Sequence, residues 1–351
     1  MSSNLILGKM SIRFKNIFVS AFLFYGVVNF SCAGGHFQVS KDAADGELFA
    51  RENTAPVSHE PILGDGFVSL QAVDANEPPR EAERGETVMK ALAAAHPKRI
   101  GPAEFRNGDW AVSLRGEWFY YADGRLLPEN LRSVADEYDR LPFYNYPKDL
   151  PPWETPDEET SARFRAAGTS RQTRPSKRST HFFDALWNVR TRAEAWEQVK
   201  TIRFLGKETL VHHAILEELA MVEQKINRLA QTDRQVRDWL NTIASIAAWN
   251  WRNIADIQVR SNHAYGIAID VLPSNSAMRG LETYWLWTQQ KNVDWWAVPY
   301  KSRYQPPDAV VKAFESYGFI WGGKWTFYDT MHFEYRPELL LLSGIKMSGE
   351  Y

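Results

Sequence analysis

The hydrophobic pattern of the second half of the chain predicts three helices. In the first, apolar residues recur at alternating spacings of four and three positions, at Ile215, Leu219, Val222, Ile226 and Leu229. This spacing is typical of a helix with one buried stripe. A capping box from Thr232 to Gln235 begins a second predicted helix, which continues to Ala247. A third helix is predicted over Ala309 to Tyr317, between a Pro-Pro pair and Gly318.

Two short stretches alternate in polarity instead, which is typical of β-strands. From Gly266 to Val271 every second residue is isoleucine or valine, so a strand would turn Asp270 away from the core, on the same face as two small residues. From His332 to Tyr335 polar and aromatic residues alternate, so His332 and Glu334 would lie on one side. Because helices precede and separate these strands, we predict an α+β fold in which a small antiparallel sheet carries the site.

Upstream of these elements we predict an accessory region over residues 101–200. Its Trp110–Leu114 and Glu117–Tyr121 segments predict a β-hairpin. Residues 161–179 contain six arginines and lysines, which we interpret as a solvated basic loop, in preference to a contact surface for anionic wall polymers or lipid head groups. Residues 201–342 then form the domain that carries the site.

The stretch 33–100 is polar, contains five prolines and has few aromatic residues. This composition predicts a flexible linker between the N-terminus and the accessory region. Within the linker, Glu81 to Ala95 predicts a short helix, since Val88, Leu92 and Ala95 would share one face.

The first 32 residues have the pattern of a secretory signal peptide. Basic residues between Lys9 and Lys15 precede an apolar run from Ile17 to Phe30, which is shorter than the ~20 residues of a permanent membrane span. The chain's one cysteine, Cys32, lies where a lipoprotein signal would be cut and acylated; the alternative is an incidental cysteine inside a discarded signal. We therefore expect export to the periplasm or cell envelope, with membrane attachment only if Cys32 is acylated.

Composition restricts the remaining functions. The chain has 351 residues, which permits two modest domains or one domain with appendages, and 44% of them are hydrophobic, which is enough for a real core. Its net charge of −2 and its pI near 6.5 argue against a nucleic-acid-binding protein, whose surface would be basic. With a single cysteine, an exported chain cannot depend on intramolecular disulfides.

The two alternating stretches also carry the residues of a metal site. His263, Asp270 and His332 would give a tetrahedral Zn²⁺ two histidines and one carboxylate and would leave one position open for water. Asp329, three residues before His332, is placed to deprotonate that water. Two alternatives remain, because the same ligands describe the iron triad of non-haem oxygenases, and because the carboxylates could be structural, with histidines nearby by chance. We favour the zinc site because four polar residues at fixed spacings coincide with a small-residue strand.

Over about residues 249–273 and 317–336 the chain resembles the zinc peptidases that cut peptidoglycan stem peptides. This family comprises D-alanyl-D-alanine carboxypeptidases and dipeptidases and L-alanyl-D-glutamate endopeptidases, and its pattern is S-x-H-x-x-G-x-A-x-D followed by D/E-x-x-H. The resemblance implies that His263, Asp270 and His332 are zinc ligands. It also implies that Asp329 is the general base and that Ser261 supports the site.

The resemblance implies assisting residues as well. In the family, a basic residue upstream of the first histidine steadies the oxyanion or a substrate carboxylate, which points to Arg252 in preference to Arg260; the alternative is a structural salt bridge. Glu334 either orients a ligand or is a carboxylate on the sheet face.

A second metal pair is conceivable at His212 and His213, with Glu217 and Glu218 four and five residues further on. We interpret these residues as the surface of the first long helix, because no third ligand lies at a recognisable spacing.

The second motif bears on which bond is cut. Trp325 to Glu334 matches the W-x-x-x-D-x-x-H-F-E pattern of the endopeptidases, whereas the D,D-carboxypeptidases usually have a glutamate before Trp-His. Lys324 departs from the pattern, and a cation there could hold the terminal carboxylate that a carboxypeptidase needs. We predict a zinc peptidase of stem peptides, with the endopeptidase slightly preferred to the D,D-carboxypeptidase and with no protein partner. A non-catalytic, zinc-containing wall-binding lipoprotein, as hedgehog-type relatives of this fold suggest, is the alternative from another class.

Overall fold

The first part of the structure is a helix followed by a four-stranded sheet. This computed structural model describes residues 81–173, 176–254, 259–281 and 294–348. The first elements are α1 (Glu81–Ala95), β1 (Glu104–Arg106), β2 (Asp109–Leu114), β3 (Glu117–Tyr120) and β4 (Leu127–Pro128). The four strands pair antiparallel in chain order. The predicted hairpin is confirmed as β2 and β3, and its two connecting residues, Arg115 and Gly116, both have positive φ, which suits a two-residue hairpin turn.

The predicted linker is only partly inside the described residues. The predicted signal peptide with Cys32, and residues 33–80, lie outside them. Residues 81–100 are folded, because the short helix predicted there is α1, and Val88, Met89 and Leu92 are buried in the main hydrophobic core. The linker prediction was therefore wrong for these residues, since one apolar helix face is enough for docking when other elements cover it. Within the described part of the chain, no helix has the length and apolar character needed to cross a membrane.

Three helices follow, α2 (Glu158–Thr173), α3 (His181–Trp187) and α4 (Arg192–Gln198). The basic loop predicted over 161–179 was wrong, since most of that range is α2. The Asp157 carboxylate caps α2 by accepting a hydrogen bond from the Thr160 N–H at 2.7 Å, and Phe164 packs against Trp295. A dense set of basic residues is compatible with a solvated loop and with a helix. The capping residue Asp157 and the buried ring of Phe164 are the features that indicate a helix packed against the protein.

The next elements are β5 (Val199–Phe204), β6 (Lys207–His212), α5 (Leu216–Thr232), α6 (Arg234–Thr242) and β7 (Ile243–Ala247). Helix α5 confirms the first predicted helix, with Leu219, Val222 and Ile226 buried. The second predicted helix was too long. It is α6, which is capped by Asp233 and ends at Thr242, where the chain continues as a strand. Backbone pairing with a neighbouring strand outweighs the helical spacing of the apolar residues in β7.

The remaining elements build the sheet of the candidate site. They are α7 (Asn262–Tyr265), β8 (Ala268–Pro273), α8 (Asp308–Glu315), β9 (Phe319–Trp321), β10 (His332–Tyr335) and α9 (Pro337–Leu342). The strands lie antiparallel in the order β7-β8-β10-β9. The third predicted helix corresponds to α8, with slightly different ends. The predicted α+β fold with a small antiparallel sheet is therefore confirmed.

One hydrophobic core joins this sheet to the accessory region. Phe182 and Trp187 of α3 belong to the same buried cluster as Phe314 of α8 and Phe333 of β10. The accessory region is therefore packed against the site-bearing part of the chain.

His212 was predicted at the surface of a helix, but the structure places it at the end of β6 and fully buried. Its Nε2–H donates to the Trp187 carbonyl at 2.8 Å, and its Nδ1 accepts from the Ala214 N–H at 3.0 Å. Both ring nitrogens are thus used within the fold, and His212 is not available as a metal ligand. Burial lowers the pKa of this imidazole to about 4, so it is neutral in the folded protein.

We expect His212 to make the protein less stable in mild acid. Its pKa of about 4 lies below the ordinary value of about 6.5, so the unfolded chain takes up this proton first. The stability that the neutral ring contributes is present above about pH 6.5 and is lost as the pH falls towards 4, by about 3 kcal/mol over the window. Urea unfolding at pH 7 and pH 4.5 should show a smaller pH dependence in His212→Gln than in the wild type. The exposed histidine His181, as His181→Gln, is the control. An unchanged pH dependence in His212→Gln would contradict the assignment.

Candidate metal centre

The three candidate metal ligands come from three elements. Asp270 on β8 and His332 on β10 lie opposite each other in the antiparallel ladder, and His263 lies on the short helix α7. One ligand atom of each residue lies within 4.8 Å of the others. The first strand begins at Ala268 and not, as predicted, at Gly266, because Gly266 ends α7 with a φ of 74°, a conformation that favours glycine.

His263 presents a bare nitrogen to the centre. Its Nδ1–H donates to the Ala248 carbonyl at 2.6 Å, so its Nε2 carries a lone pair. This Nε2 is buried without a hydrogen-bond partner, and it lies 3.2 Å from Asp270 Oδ1. A lone pair facing a carboxylate oxygen at this distance is repulsive unless a cation lies between them. Ser261 caps α7, the helix that carries His263, since its Oγ accepts from the His263 backbone N–H at 3.3 Å.

His332, like His263, has one ring nitrogen held by a hydrogen-bond acceptor and the other directed at the centre. Its Nε2 lies 3.1 Å from Glu334 Oε2, which also accepts from the Asn262 amide at 2.8 Å. Nε2–H donates to Glu334, and Nδ1 faces Asp270 Oδ1 at 2.9 Å. Without a metal, Nδ1 carries a proton that it donates to Asp270; a metal ion that displaces this proton would meet the Nδ1 lone pair. A carboxylate that accepts from the far nitrogen of a histidine is the usual support of a metal-binding imidazole.

The electrostatics of the cluster favour a positive charge at its centre. Burial alone would raise the pKa of Asp270, but His263 and His332 hold it well below its usual range. Burial alone would lower the pKa of His332, but its hydrogen bonds to Asp270 and Glu334 raise it to about 10. The cluster therefore binds a proton tightly, or a metal ion that displaces it. The two inward nitrogens and the carboxylate fit a tetrahedral metal with one open position.

Asp329 lies beside this centre in the loop before β10. Its Oδ1 is buried without a hydrogen-bond partner, and it lines the same cleft as His263 and His332. Burial, and then the negative charge of Asp270, raise the pKa of Asp329 to about 7. A carboxylate with this pKa can take and return a proton near neutral pH.

Gly322 fixes the position of Asp329, which the sequence patterns did not reveal. The Asp329 N–H donates to the Gly322 carbonyl at 3.0 Å. A Cβ at Gly322 would lie only 2.6 Å from the Asp329 carbonyl oxygen, so the two backbones approach this closely only because residue 322 is glycine.

The two candidate arginines differ in their surroundings. Both line the cleft, but Arg260 is paired with Asp184 and also donates to the Val189 carbonyl at 3.2 Å. Arg252 donates to the neighbouring Asn253 carbonyl, and its charge acts on Asp329 to lower the pKa of that carboxyl slightly. Arg252 is therefore the better placed of the two to act on a bound substrate.

Lys324 is engaged within the fold, which counts against the alternative in which it binds a substrate carboxylate. Its Nζ lies 2.5 Å from Glu315 Oε1 and donates to the carbonyls of Pro147 and Lys148 at 3.0 and 2.7 Å. Its side chain is 3% exposed. All three of these acceptors lie within the protein, so the ammonium group is already engaged in joining residues 147–148 to α8. Lys324 therefore gives no support to the carboxypeptidase alternative.

The cleft above the centre has a volume of about 150 Å³. One side comes from the residues around the candidate ligands, including Trp325, whose ring centroid lies 5.2 Å from that of His332. The other side comes from the accessory region, and the sequence patterns did not assign it to the site. It consists of Leu141, Pro142, Arg178, Ser179, Thr180 and Phe183.

Comparisons with known proteins agree with this geometry at a coarse level. Residues 255–335 match the model of a family described as D-alanyl-D-alanine carboxypeptidase, and this range includes the three candidate ligands and Asp329. Residues 88–143 match a second family, described as Domain of unknown function (DUF8518). Curated proteins and solved structures gave no match. The segment 255–335 is thus similar to a zinc peptidase family with peptidoglycan-related activity.

We expect His263→Ala, Asp270→Ala and His332→Ala each to lose most bound zinc, because an open site cannot spare one of three protein ligands. The zinc content of each variant should be measured by inductively coupled plasma mass spectrometry. Circular dichroism on the same samples checks that the variants are folded. His213→Ala is the control and should keep one zinc per chain. Full zinc retention in one of the three variants would remove that residue from the ligand set.

Proposed function

We propose that the protein is a zinc-dependent peptidase that hydrolyses peptidoglycan stem peptides in the bacterial cell envelope, where the predicted signal peptide would direct it. The observation that carries the proposal is the convergence of two histidine nitrogens and one carboxylate beside the buried Oδ1 of Asp329, which has no hydrogen-bond partner. The similarity of residues 255–335 to a peptidase family supports the same reaction class.

The residues suggest a division of labour during amide hydrolysis. A zinc ion held by His263, Asp270 and His332 would supply Lewis acidity and acidify a water molecule. Asp329 accepts the proton of the attacking water and then returns it to the leaving amine. Burial raises the pKa of this carboxyl, which favours proton transfer in both directions. Arg252 stabilises the negative charge that develops on the carbonyl oxygen.

Asp329 also bears on the alternative from another class. A non-catalytic protein with a structural zinc has no need of a buried carboxylate oxygen without a partner, which costs free energy to maintain. The presence of Asp329 beside the metal centre therefore favours a catalytic protein over one that only binds the cell wall.

For the bond that is cut, we propose the link between L-alanine and D-glutamate. The Trp325 to Glu334 motif supports this choice, and the engagement of Lys324 by Glu315 removes the argument for a terminal-carboxylate site at residue 324. The D-alanyl-D-alanine carboxypeptidase is the alternative, and it is the activity in the description of the matched family.

Digestion of a purified stem pentapeptide tests the proposal. The zinc-loaded protein should release L-alanine from the rest of the peptide, and a chelator should abolish the reaction until zinc is restored. Mass spectrometry of the products identifies the bond. Release of D-alanine with the first bond intact would establish the carboxypeptidase instead, and no cleavage by the zinc-loaded protein would argue for a wall-binding role.

We expect Asp329→Asn to abolish turnover and to leave zinc binding and folding intact. The amide is nearly isosteric with the carboxyl group but cannot accept the proton of water, and Asp329 is not among the candidate ligands. Turnover, zinc content and thermal unfolding should be measured on the same preparation. Near wild-type turnover at pH 7 would show that another group, such as Glu334, is the base.

A further inference from the structure

A second cavity lies beside the cleft of the metal centre. It is a groove with a volume of about 370 Å³, and the steps of amide hydrolysis do not use it. Trp325 lines both the groove and the cleft. The Trp325 Nε1–H donates to the Tyr144 hydroxyl at 3.1 Å, which fixes the orientation of the indole ring. A ligand long enough to pass Trp325 can therefore occupy the cleft and the groove at once.

The groove lies between the accessory region and the site-bearing part of the chain. One wall comes from residues 147–164, a segment between the two matched ranges, 88–143 and 255–335. Four of the lining residues in this wall are prolines, and their fixed φ stiffens the wall before any ligand binds. The opposite wall comes from residues 296–303 and 323–326. A segment that matches neither family thus completes a preformed pocket.

Aromatic rings make up much of the lining. Trp153 and Tyr300 are partly exposed, and their ring centroids lie 5.1 Å apart with an angle of 73° between the planes. Trp296 and Trp325 line the same groove. The face of an aromatic ring is negative, so it attracts the weakly positive C–H groups that a sugar ring presents on its face. The partly exposed rings therefore suit a ligand of this shape.

Arg303 lies among these rings and is 7% exposed. Its Cζ lies 3.7 Å from the ring centroid of Tyr328, 5.0 Å from that of Tyr300 and 5.4 Å from that of Trp153. Burial lowers the pKa of Arg303 to about 10, and the groups that oppose this effect are the Tyr328 and Tyr300 hydroxyls, with no carboxylate among the described residues. Aromatic faces thus stabilise the charge of this guanidinium in place of an ion pair.

The guanidinium of Arg303 has N–H groups to offer to a ligand. Among the described residues, the Val298 carbonyl accepts from its Nε–H at 2.9 Å, and no other acceptor bonds to it. Because Arg303 lines the groove, a ligand there can supply acceptors for the remaining N–H groups. Neutral hydroxyl and amide oxygens are sufficient acceptors, since the positive charge is already stabilised by the rings.

The charges of the groove favour a neutral ligand over an anion. Lys324 lines it but is paired with Glu315. The other charged residues that line it, within the described part of the chain, are Arg303 and the exposed Glu154 and Asp157. The two carboxylates leave no positive excess, and they can accept hydrogen bonds from hydroxyl groups. Donors, acceptors and ring faces therefore occur together, as a ligand with many hydroxyl groups requires.

We propose that the groove binds the sugar to which a stem peptide is attached, with the sugar ring against Trp153 and Tyr300 and its hydroxyl or acetamido oxygens on Arg303. This subsite rests on the proposed function, in which the bond after L-alanine lies at the metal centre. L-Alanine is the residue that joins the stem peptide to the sugar, and one residue spans about 3.5 Å. The sugar is thus close enough to the cleft to reach the groove across Trp325.

The test compares a stem peptide that is linked to its N-acetylated disaccharide with the free stem peptide of the same sequence. With the wild type, the linked substrate should have a KM about 10-fold lower, the change that one or two net hydrogen bonds produce. Trp153→Ala should lose this advantage because a ring face is removed, and Arg303→Lys because the planar fork of N–H donors is removed. Phe105→Ala is the matched control and should keep the advantage, because Phe105 is an aromatic residue, 61% exposed, that does not line the groove.

Equilibrium binding of both peptides to zinc-loaded Asp329→Asn, measured by calorimetry, separates this proposal from the proposed function. Tighter binding of the linked peptide that depends on Trp153, without hydrolysis of either peptide by the wild type, would support the subsite and overturn the peptidase. Hydrolysis with equal KM for the linked and the free peptide would overturn the subsite and leave the peptidase standing. An equal rise of KM for both peptides in Trp153→Ala would show that peptide and not sugar occupies the groove, and would also overturn the subsite. An advantage of the linked peptide that Trp153→Ala leaves unchanged would overturn it as well.

Discussion

The structure of the candidate site depends on one electrostatic constraint, which is that two imidazole nitrogens and a carboxylate oxygen converge in a buried space. His263 Nε2 and His332 Nδ1 lie 3.2 and 2.9 Å from the same oxygen of Asp270. Such an arrangement is stable only with a positive charge at its centre. Most other features of the site serve to hold these three atoms or to use the charge that they attract.

The sheet supplies this geometry through its backbone. The antiparallel register places Asp270 opposite His332 on β10 and opposite Ala247 on β7. The next residue after β7, Ala248, offers the carbonyl that fixes the protonation of His263. The two strands that flank β8 thus each determine one part of the centre: β10 places His332, and β7 leads to the carbonyl that orients His263. A shift of one residue in either pairing would turn Asp270 away from these partners.

The sequence was sufficient to group the candidate ligands, but it did not reveal the residues that support them. His263, Asp270, His332 and Asp329 stand at spacings whose chemistry can be read from residue types alone, and the structure brings them together. Strand β7 was missed because its apolar residues also fit a helical spacing, and its role follows from a partner strand that lies more than twenty residues away along the chain. The surroundings of Lys324 and His212 were missed for a related reason, since part of their hydrogen-bond partners, the carbonyls of Pro147, Lys148 and Trp187, come from distant segments and leave no local pattern.

Replacement of zinc by cobalt(II) tests the account of the centre most directly, because the visible spectrum of cobalt(II) reports its coordination geometry. One equivalent of cobalt(II) added to the metal-free protein should give the intense absorption of a tetrahedral site, and the spectrum should be lost in His332→Ala. Weak absorption typical of octahedral, water-rich coordination, unchanged by that substitution, would contradict a metal centre built from His263, Asp270 and His332.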